Sequence, residues 1–257
     1  MEKAIKIRGL SVAYNRRPAL EDITLSIPKG AMVGIVGPNG GGKITLVKAM
    51  LGLVPRLRGE VKVLGRPVDR RARRLVGYVP QREDVDWNFP VSAFDVVIMG
   101  RVPSMKLLRR PTHRDKELAW EALRTVGMEK FADTRIGEFS GGQQQRIFLA
   151  RALAQEAEVL LLDEPVSGVD APSQHEIFDL LRKLQGTGKT VVVTTHDLSC
   201  VAERFDLALL LNRRIVAFGR PEEVFTPELL NETYQSHLMI LKVGDRTVAI
   251  EDGGQGG

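Results

Sequence analysis

The stretch Gly37-Pro38-Asn39-Gly40-Gly41-Gly42-Lys43-Ile44-Thr45 joins a glycine run to a lysine and then to an apolar periodic segment. Glycines at this density let the backbone curl until consecutive amide N–H groups converge on one point, and a helix start behind them adds a positive dipole. That is a cradle for a polyphosphate, with Lys43 in reach of the β and γ phosphates. The pattern calls for Ser or Thr at the next position to ligate Mg²⁺, and Ile44 has no oxygen to give. Thr45 keeps a hydroxyl, but one helical step turns it by ~100° from the required direction.

A second set of residues supplies the chemistry such a cradle needs. The run Val159-Leu160-Leu161-Leu162 delivers Asp163, Glu164 and Pro165 at its end. A buried strand that ends on two carboxylates places Asp163 to hold Mg²⁺, directly or through water, and Glu164 to polarise the water that attacks the γ phosphate. A third set, Phe139-Ser140-Gly141-Gly142-Gln143, precedes a helical run through Ile147, Leu149 and Ala150. Serine and glycine at a helix start make another anion site, which the first cradle does not itself require.

These residues need strands and helices in a fixed order. Apolar and polar residues alternate at Ala4–Leu10 and Leu20–Ile27, with turn residues Asn15 to Pro18 between, which predicts antiparallel half-buried strands. From Met32 the segment MVGIVG predicts a buried strand, and Leu46, Val47, Met50 and Leu51 predict a helix that stops at Gly52. Further strands are expected at Glu60–Leu64, Leu75–Val79, Val159–Leu162, Val191–Thr195 and Leu207–Leu211, the last three alternating with helices as parallel βα units do. Between about Trp87 and Gln155 strands give way to helical periodicity. Thr112 with Asp115 forms a capping-box start, and Leu118, Ala122, Leu123 and Val126 form an apolar stripe. The C-terminal segments His237–Val243 and Arg246–Ile250 predict a hairpin around Gly244-Asp245, before a GGQGG tail.

Composition bounds the rest. The chain has 257 residues, 43% hydrophobic and 27% charged, which excludes disordered, collagenous and disulfide-stapled classes. Its single cysteine, Cys200, cannot form an internal disulfide and reads as a small buried apolar residue. No run approaches the ~18 apolar residues of a membrane span, and the N-terminus lacks a signal-peptide core. The net charge of +5 is concentrated in Arg66–Arg74 and Arg101–Lys116. Such stretches suit nucleic acid, an anionic surface or a plain solvated face, and no aromatic residue interleaves the arginines as a single-strand groove requires.

With SGGQQQR lying upstream of LLLDEP, the chain resembles the ATPases of ABC transporters, over roughly residues 3 to 230. The resemblance implies an α/β fold: a P-loop NTPase core of the ABC type with an antiparallel β subdomain and an inserted α-helical subdomain at about 87–155. One ATPase domain is expected over 1–235, followed by a β-hairpin extension at 236–257. It implies ATP and Mg²⁺ as cofactors, with Gly37 to Thr45 on the phosphates and Tyr14 stacked on adenine. Asp163 and Gln81 are implied as Mg²⁺ ligands, and Gln81 as a contact of the attacking water. Glu164 and His196 are implied to act on that water, with Lys43 on the phosphates. Ser140, Gly141, Gly142 and Gln143 form a signature that completes the ATP site of a second copy in a head-to-tail dimer, and Asp170 lies in the loop that crosses between copies. Membrane permease subunits, and through them an external solute-binding protein, are the implied partners, on the cytoplasmic face of the cell membrane. Trp87 and Phe89 are implied to pack or to help dock the membrane subunit. The stretches VPQREDVDWNFPVSAFDVVIMGR and LLNRRIVAFG resemble more narrowly the ATPases of bacterial manganese, zinc and iron uptake.

Two other classes stay open at this point: an ABC-type ATPase acting on nucleic acid through the basic stretches, and a nucleotide-binding regulatory subunit in which Ile44 suppresses turnover.

Overall fold

Two long strands, β1 (Lys3–Tyr14) and β2 (Arg17–Pro28), open the chain as an antiparallel pair. The turn between them is only Asn15-Arg16, both left-handed at φ 49° and 66°. This is the twist a two-residue hairpin demands. The strands therefore run further than Ala4–Leu10 and Leu20–Ile27, because pairing continues through Val12↔Leu20 to Tyr14↔Arg17 although the apolar alternation fades.

There follow β3 (Met32–Val36), α1 (Lys43–Met50), β4 (Arg58–Val63), β5 (Arg66–Pro67), α2 (Arg70–Arg73) and β6 (Val76–Val79). The middle of the chain holds α3 (Ala93–Ile98), α4 (His113–Thr125) and α5 (Gly141–Ala154), joined by short 3₁₀ turns. Then come β7 (Val159–Asp163), α6 (Ala171–Gly186), β8 (Thr190–Thr194), α7 (Leu198–Arg204), β9 (Leu207–Asn212) and β10 (Arg214–Gly219). The chain ends with α8 (Pro221–Val224), α9 (Pro227–Tyr234), β11 (Leu238–Val243) and β12 (Arg246–Glu251).

The computed structural model describes residues 2–87, 89–105, 110–235, 238–243 and 246–251, the last two stretches by backbone alone. His237, the Gly244-Asp245 turn and the glycine-rich tail of the sequence reading lie outside them.

The chain divides into two compact units, Met1–Val68 with Val192–Gly257, and Asp69–Val191. In the first, an antiparallel sheet runs β2-β1-β4-β5. Beside it in the same unit β3 pairs parallel with β9, and β9 pairs antiparallel with β10. Strand β10 was absent from the expected set, since its residues are only half-buried and show no clean alternation. All five residues of β3 are buried. A Cβ on Gly34 would lie 2.7 Å from Val201 Cγ2 of α7, so the glycine is what lets the helix close on the strand.

In the second unit β6 and β7 pair parallel, in register from Val76↔Val159 to Val79↔Leu162. The α3, α4 and α5 helices lie between them in sequence. Within that stretch the described residues form no strand beyond an isolated bridge, Ser92↔Arg135. α4 begins with the expected Thr112–Asp115 box, and α3 has a second one from Ser92 and Asp95. β8 passes from one unit to the other: Thr190 N–H donates to Glu158 O, and Thr195 N–H donates to Ile35 O. No helix among the described residues is long and apolar enough to cross a membrane.

Candidate functional site

The phosphate loop leaves β3 at Val36 and ends in α1. Gly37, Gly41 and Gly42 are fixed by close backbone approaches. Gly37 has φ 155°, and a Cβ there would sit 2.0 Å from Leu211 O. A Cβ on Gly42 would sit 2.7 Å from Ala19 O. Arg213 N–H donates to Gly41 O at 2.8 Å, tying the loop to the β9–β10 turn. The Lys43 ammonium lies over the loop and donates to Gly37 O at 2.7 Å and Pro38 O at 3.0 Å. Gly42 caps α1 with a left-handed backbone and no side chain, so the cap residue itself offers the first amides of the helix no acceptor. The result is a cradle in which any Cβ at Gly37 or Gly42 would fill the space, and it fits a polyphosphate.

Tyr14, 43% exposed at the end of β1, shares a hollow of about 510 Å³ with Pro18, Gly40 and Arg213. The structure thus brings Tyr14 to the phosphate loop. His196 is exposed two residues beyond β8, and the preceding Thr195 is bonded to Ile35 of β3, just upstream of the loop.

The remaining expected residues belong to the second unit. Asp163 is fully buried as the last residue of β7. Glu164 follows in a left-handed conformation, φ 42°, held by a turn in which Ser167 N–H donates to Glu164 O at 3.1 Å. A non-glycine residue in that region costs ~1–2 kcal/mol, and it turns the carboxylate off the line of the strand. Gln81 stands two residues past β6, so Gln81, Asp163 and Glu164 emerge from the same carboxyl ends of one parallel pair. Open α/β sheets bind their ligands at such ends.

Ser140 caps α5 in a reciprocal box. Gln143 N–H donates to Ser140 Oγ at 3.4 Å, and Ser140 N–H donates to Gln143 Oε1 at 3.0 Å. Each side chain retains a donor, the serine hydroxyl proton and the glutamine amide hydrogens. A Cβ on Gly142 would meet Ser173 Cβ at 2.6 Å, and one on Gly141 would lie 3.5 Å from Gly168 O. Asp170 caps α6 by accepting from Ser173 N–H at 3.0 Å, and this bond holds its carboxyl below the ordinary carboxylate range.

The sequence matches the ABC transporter family over residues 20–167. It is 49% identical to the manganese transport system ATP-binding protein MntB of Bacillus subtilis (strain 168), over 93% of this chain and 95% of that protein. The chain belongs to the ABC transporter family. It is 50% identical to the zinc transport system ATP-binding protein TroB of Treponema pallidum (strain Nichols), over 90% of this chain and 86% of that protein. An ABC transporter of metal-chelate type, solved in an inward-facing conformation, superposes with a TM-score of 0.86 at 29% identity, covering 98% of each chain. The α/β ABC ATPase fold expected from the sequence is therefore the fold of this chain, and ATP is the family's nucleotide.

For Mg²⁺ the donor set of this ABC protein is incomplete. Asp163 and Gln81 offer oxygens, whereas Ile44, 40% exposed, offers a hydrocarbon surface. Several contacts had no sequence signal. Arg82 Nε donates to Gln144 Oε1 at 3.0 Å, which ties the segment carrying Gln81 to α5. Trp87 donates its ring N–H to Arg82 O at 2.8 Å and packs edge-on to Phe148, while Phe89 is 57% exposed. Arg101, counted in a basic stretch, is 6% exposed and donates to Asp115, Ala154 O and Glu156. Cys200 is half-buried rather than fully buried, and burial pushes its thiol up to about 12, so it is an inert thiol.

Proposed function

We propose that this chain is the ATP-hydrolysing subunit of an importer for a divalent metal ion, manganese or zinc before iron. The observation that carries the reading is the near-half identity, along nearly the whole chain, to ATP-binding proteins of manganese and zinc transport systems. These relatives favour transport over an ATPase that acts on nucleic acid.

Residues 1–235 act as one ATPase domain with a helical subdomain at about 87–155, and 236–257 as a terminal extension. Tyr14 stacks on adenine, the amides from Gly37 to Thr45 hold the phosphates, and Lys43 leaves the loop carbonyls for the β and γ phosphates. Glu164 draws a proton from the attacking water, His196 orients that water and senses the γ phosphate, and Gln81 touches it. Ser140, Gly141, Gly142 and Gln143 reach the ATP held by a second copy, and Asp170 crosses between copies. Asp163 and Gln81 would hold Mg²⁺, which when bound would supply charge neutralisation on the phosphates. The barrier falls chiefly through positioning and fixed dipoles. ATP closes the head-to-tail dimer and hydrolysis reopens it, which moves the membrane permease subunits with which it sits at the cytoplasmic face of the cell membrane. An external solute-binding protein delivers the ion to that permease.

Ile44 lowers turnover without abolishing it, since it removes one metal oxygen and leaves Lys43, Glu164 and His196 in place. Phosphate release by the wild-type chain and by Ile44→Ser at saturating ATP and Mg²⁺ tests this, with about a tenfold gain expected for the serine variant. Equal rates would refute the lowered turnover. As a control, Glu164→Gln keeps ATP bound and accumulates as a dimer on size exclusion; a monomer there counts against the paired site.

A further inference from the structure

β9 ends at Asn212 and β10 starts at Arg214, so Arg213 alone makes the turn between them. The two arginines there differ in their partners. Arg214 pairs with Glu21. Arg213 forms no ion pair among the described residues, and neither does Arg17, the first residue of β2. Both are exposed, and both line the hollow of about 510 Å³ that Tyr14 shares with Gly40. Among the described residues no carboxylate lines that hollow. Arg17 is paired with Tyr14 across the two-residue hairpin turn, and such partners present their side chains on one face.

Arginine stands at position 213 against the preference of its backbone. Its N–H donates to Gly41 O at 2.8 Å, and its carbonyl accepts from Glu21 N–H at 2.8 Å. Pinned from both sides, the residue is left-handed at φ 58°, a region that glycine enters freely and arginine does not. Glycine would make both backbone bonds equally well, because neither uses a side chain. Strained residues of this kind cluster where the side chain has a task. The one the structure offers is the hollow, and a Cβ placed on Gly40 at its edge would meet nothing within 4 Å.

We propose that Arg17 and Arg213 bind the α phosphate of the nucleotide. Tyr14 marks the base end of the hollow and Gly40 its polyphosphate end, and what joins base to polyphosphate in a nucleotide is the ribose with its α phosphate. Only the phosphate of that pair is an anion, and a guanidinium matches its oxygens with two parallel donors. The inference rests on the reading of Tyr14 as the adenine contact, and it adds two residues to the same nucleotide site.

The test is equilibrium titration of the full chain with ADP, GDP and a non-hydrolysable ATP analogue at fixed Mg²⁺. Arg213→Gly is expected to lower affinity for all three about five- to tenfold while thermal stability does not fall, since both backbone bonds remain and the left-handed strain is relieved. Arg213→Lys keeps the charge and recovers most of the affinity. Arg17→Gln loses about fivefold on each ligand, whereas Arg16→Gln, the same charge change outside the hollow, stays within about twofold. The factors match across ligands because the α phosphate is common to the three. A loss confined to the ATP analogue places the arginines on the γ phosphate, and a loss that differs between ADP and GDP places them on the base; either result overturns the proposal. So does an Arg213→Gly chain that loses stability along with affinity, which makes residue 213 a tether of the loop alone. Tyr14→Ala separates the two levels. If it leaves ADP affinity unchanged, the adenine reading itself fails; if it weakens ADP while the Arg17 and Arg213 variants bind as wild type does, only the assignment of the arginines fails.

Discussion

At the start of α1 four glycines surround the helix end and no side chain caps it, whereas α5 starts with a serine and a glutamine that cap each other. Both are glycine-bearing helix starts suited to anions, but they are made differently. In the phosphate loop Gly37 and Gly42 are pressed on backbone, with Leu211 O and Ala19 O where their Cβ atoms would be. In the signature loop Gly142 faces the side chain of Ser173 instead. The first is a nest held by backbone contacts, whose cap residue Gly42 offers the helix no side-chain acceptor. The second is a self-supported helix start that has hydrogen-bond donors to spare, as suits a surface completed by another molecule.

The sharpest way to break the contrast is to add the same methyl group to each. Gly37→Ala forces a Cβ onto a carbonyl oxygen in a left-handed backbone, so Leu211 and the β9–β10 turn must move. A loss of about 4 kcal/mol or more is expected, with nucleotide binding gone. Gly142→Ala meets Ser173 Cβ at 2.6 Å in the first turn of α6, a clash no rotamer relieves, so the two helices must shift apart in an otherwise ordinary helical backbone, and the expected loss is about 1–3 kcal/mol. Denaturant unfolding of the two variants measures both, and equal losses would remove the distinction between the loops.

Acid separates the regions next. Asp115 is held at about 2 by the Thr112 hydroxyl and N–H and by Arg101, and Arg101 also holds Ala154 O at the far end of α5. A carboxyl lowered in the folded state stabilises it above the unfolded carboxylate range of about 4 and loses that effect as pH falls through about 2. Asp115→Asn is expected to cost about 2–3 kcal/mol at pH 7, because the buried Arg101 guanidinium keeps Glu156 but loses the more buried of its two carboxylate partners. The gap in thermal stability between wild type and variant should shrink from pH 4 to pH 2. A gap that stays constant over that window is the result that counts against the clamp. The Lys43 bonds within the phosphate loop go to carbonyls, so acid does not touch those contacts.

The same pair of regions shows where sequence reasoning reaches. The phosphate loop was legible because its determinants are local: glycines, a lysine and a preceding apolar run within one strand–loop–helix unit. Asp163 and Glu164 were legible for the same reason, at the end of an unbroken apolar strand. Arg101 was not. Its burial depends on Glu156, 55 residues away, and on a carbonyl 53 residues away, so from composition it joined a basic stretch. That Arg70, Arg73, Arg74 and Arg151 line one cavity was hidden likewise, since Gln155 holds the carbonyls of Arg73 and Arg74 across about 80 residues. The left-handed Glu164 is invisible to pattern, because only the turn that closes on Ser167 imposes it.

The smallest effect bears on what Ser140 is for. Its hydroxyl accepts from Gln143 N–H, so Ser140→Ala removes a cap and should cost about 1 kcal/mol, whereas Ser140→Gly should cost only about a few tenths because glycine tolerates the cap backbone. Both variants lose the hydroxyl proton that the cap leaves available. If that proton serves a phosphate on a second copy, ATP turnover falls by the same factor in both variants while thermal stability falls only in the alanine one. If turnover instead follows stability, nearly intact in the glycine variant and reduced in the alanine one, Ser140 is a helix cap alone. The second anion site would then rest on the amides of Gly141 and Gly142. Measuring both quantities on the two variants separates a residue that shapes the loop from one that touches the ligand, a distinction that does not arise at Gly42, where there is no side chain to remove.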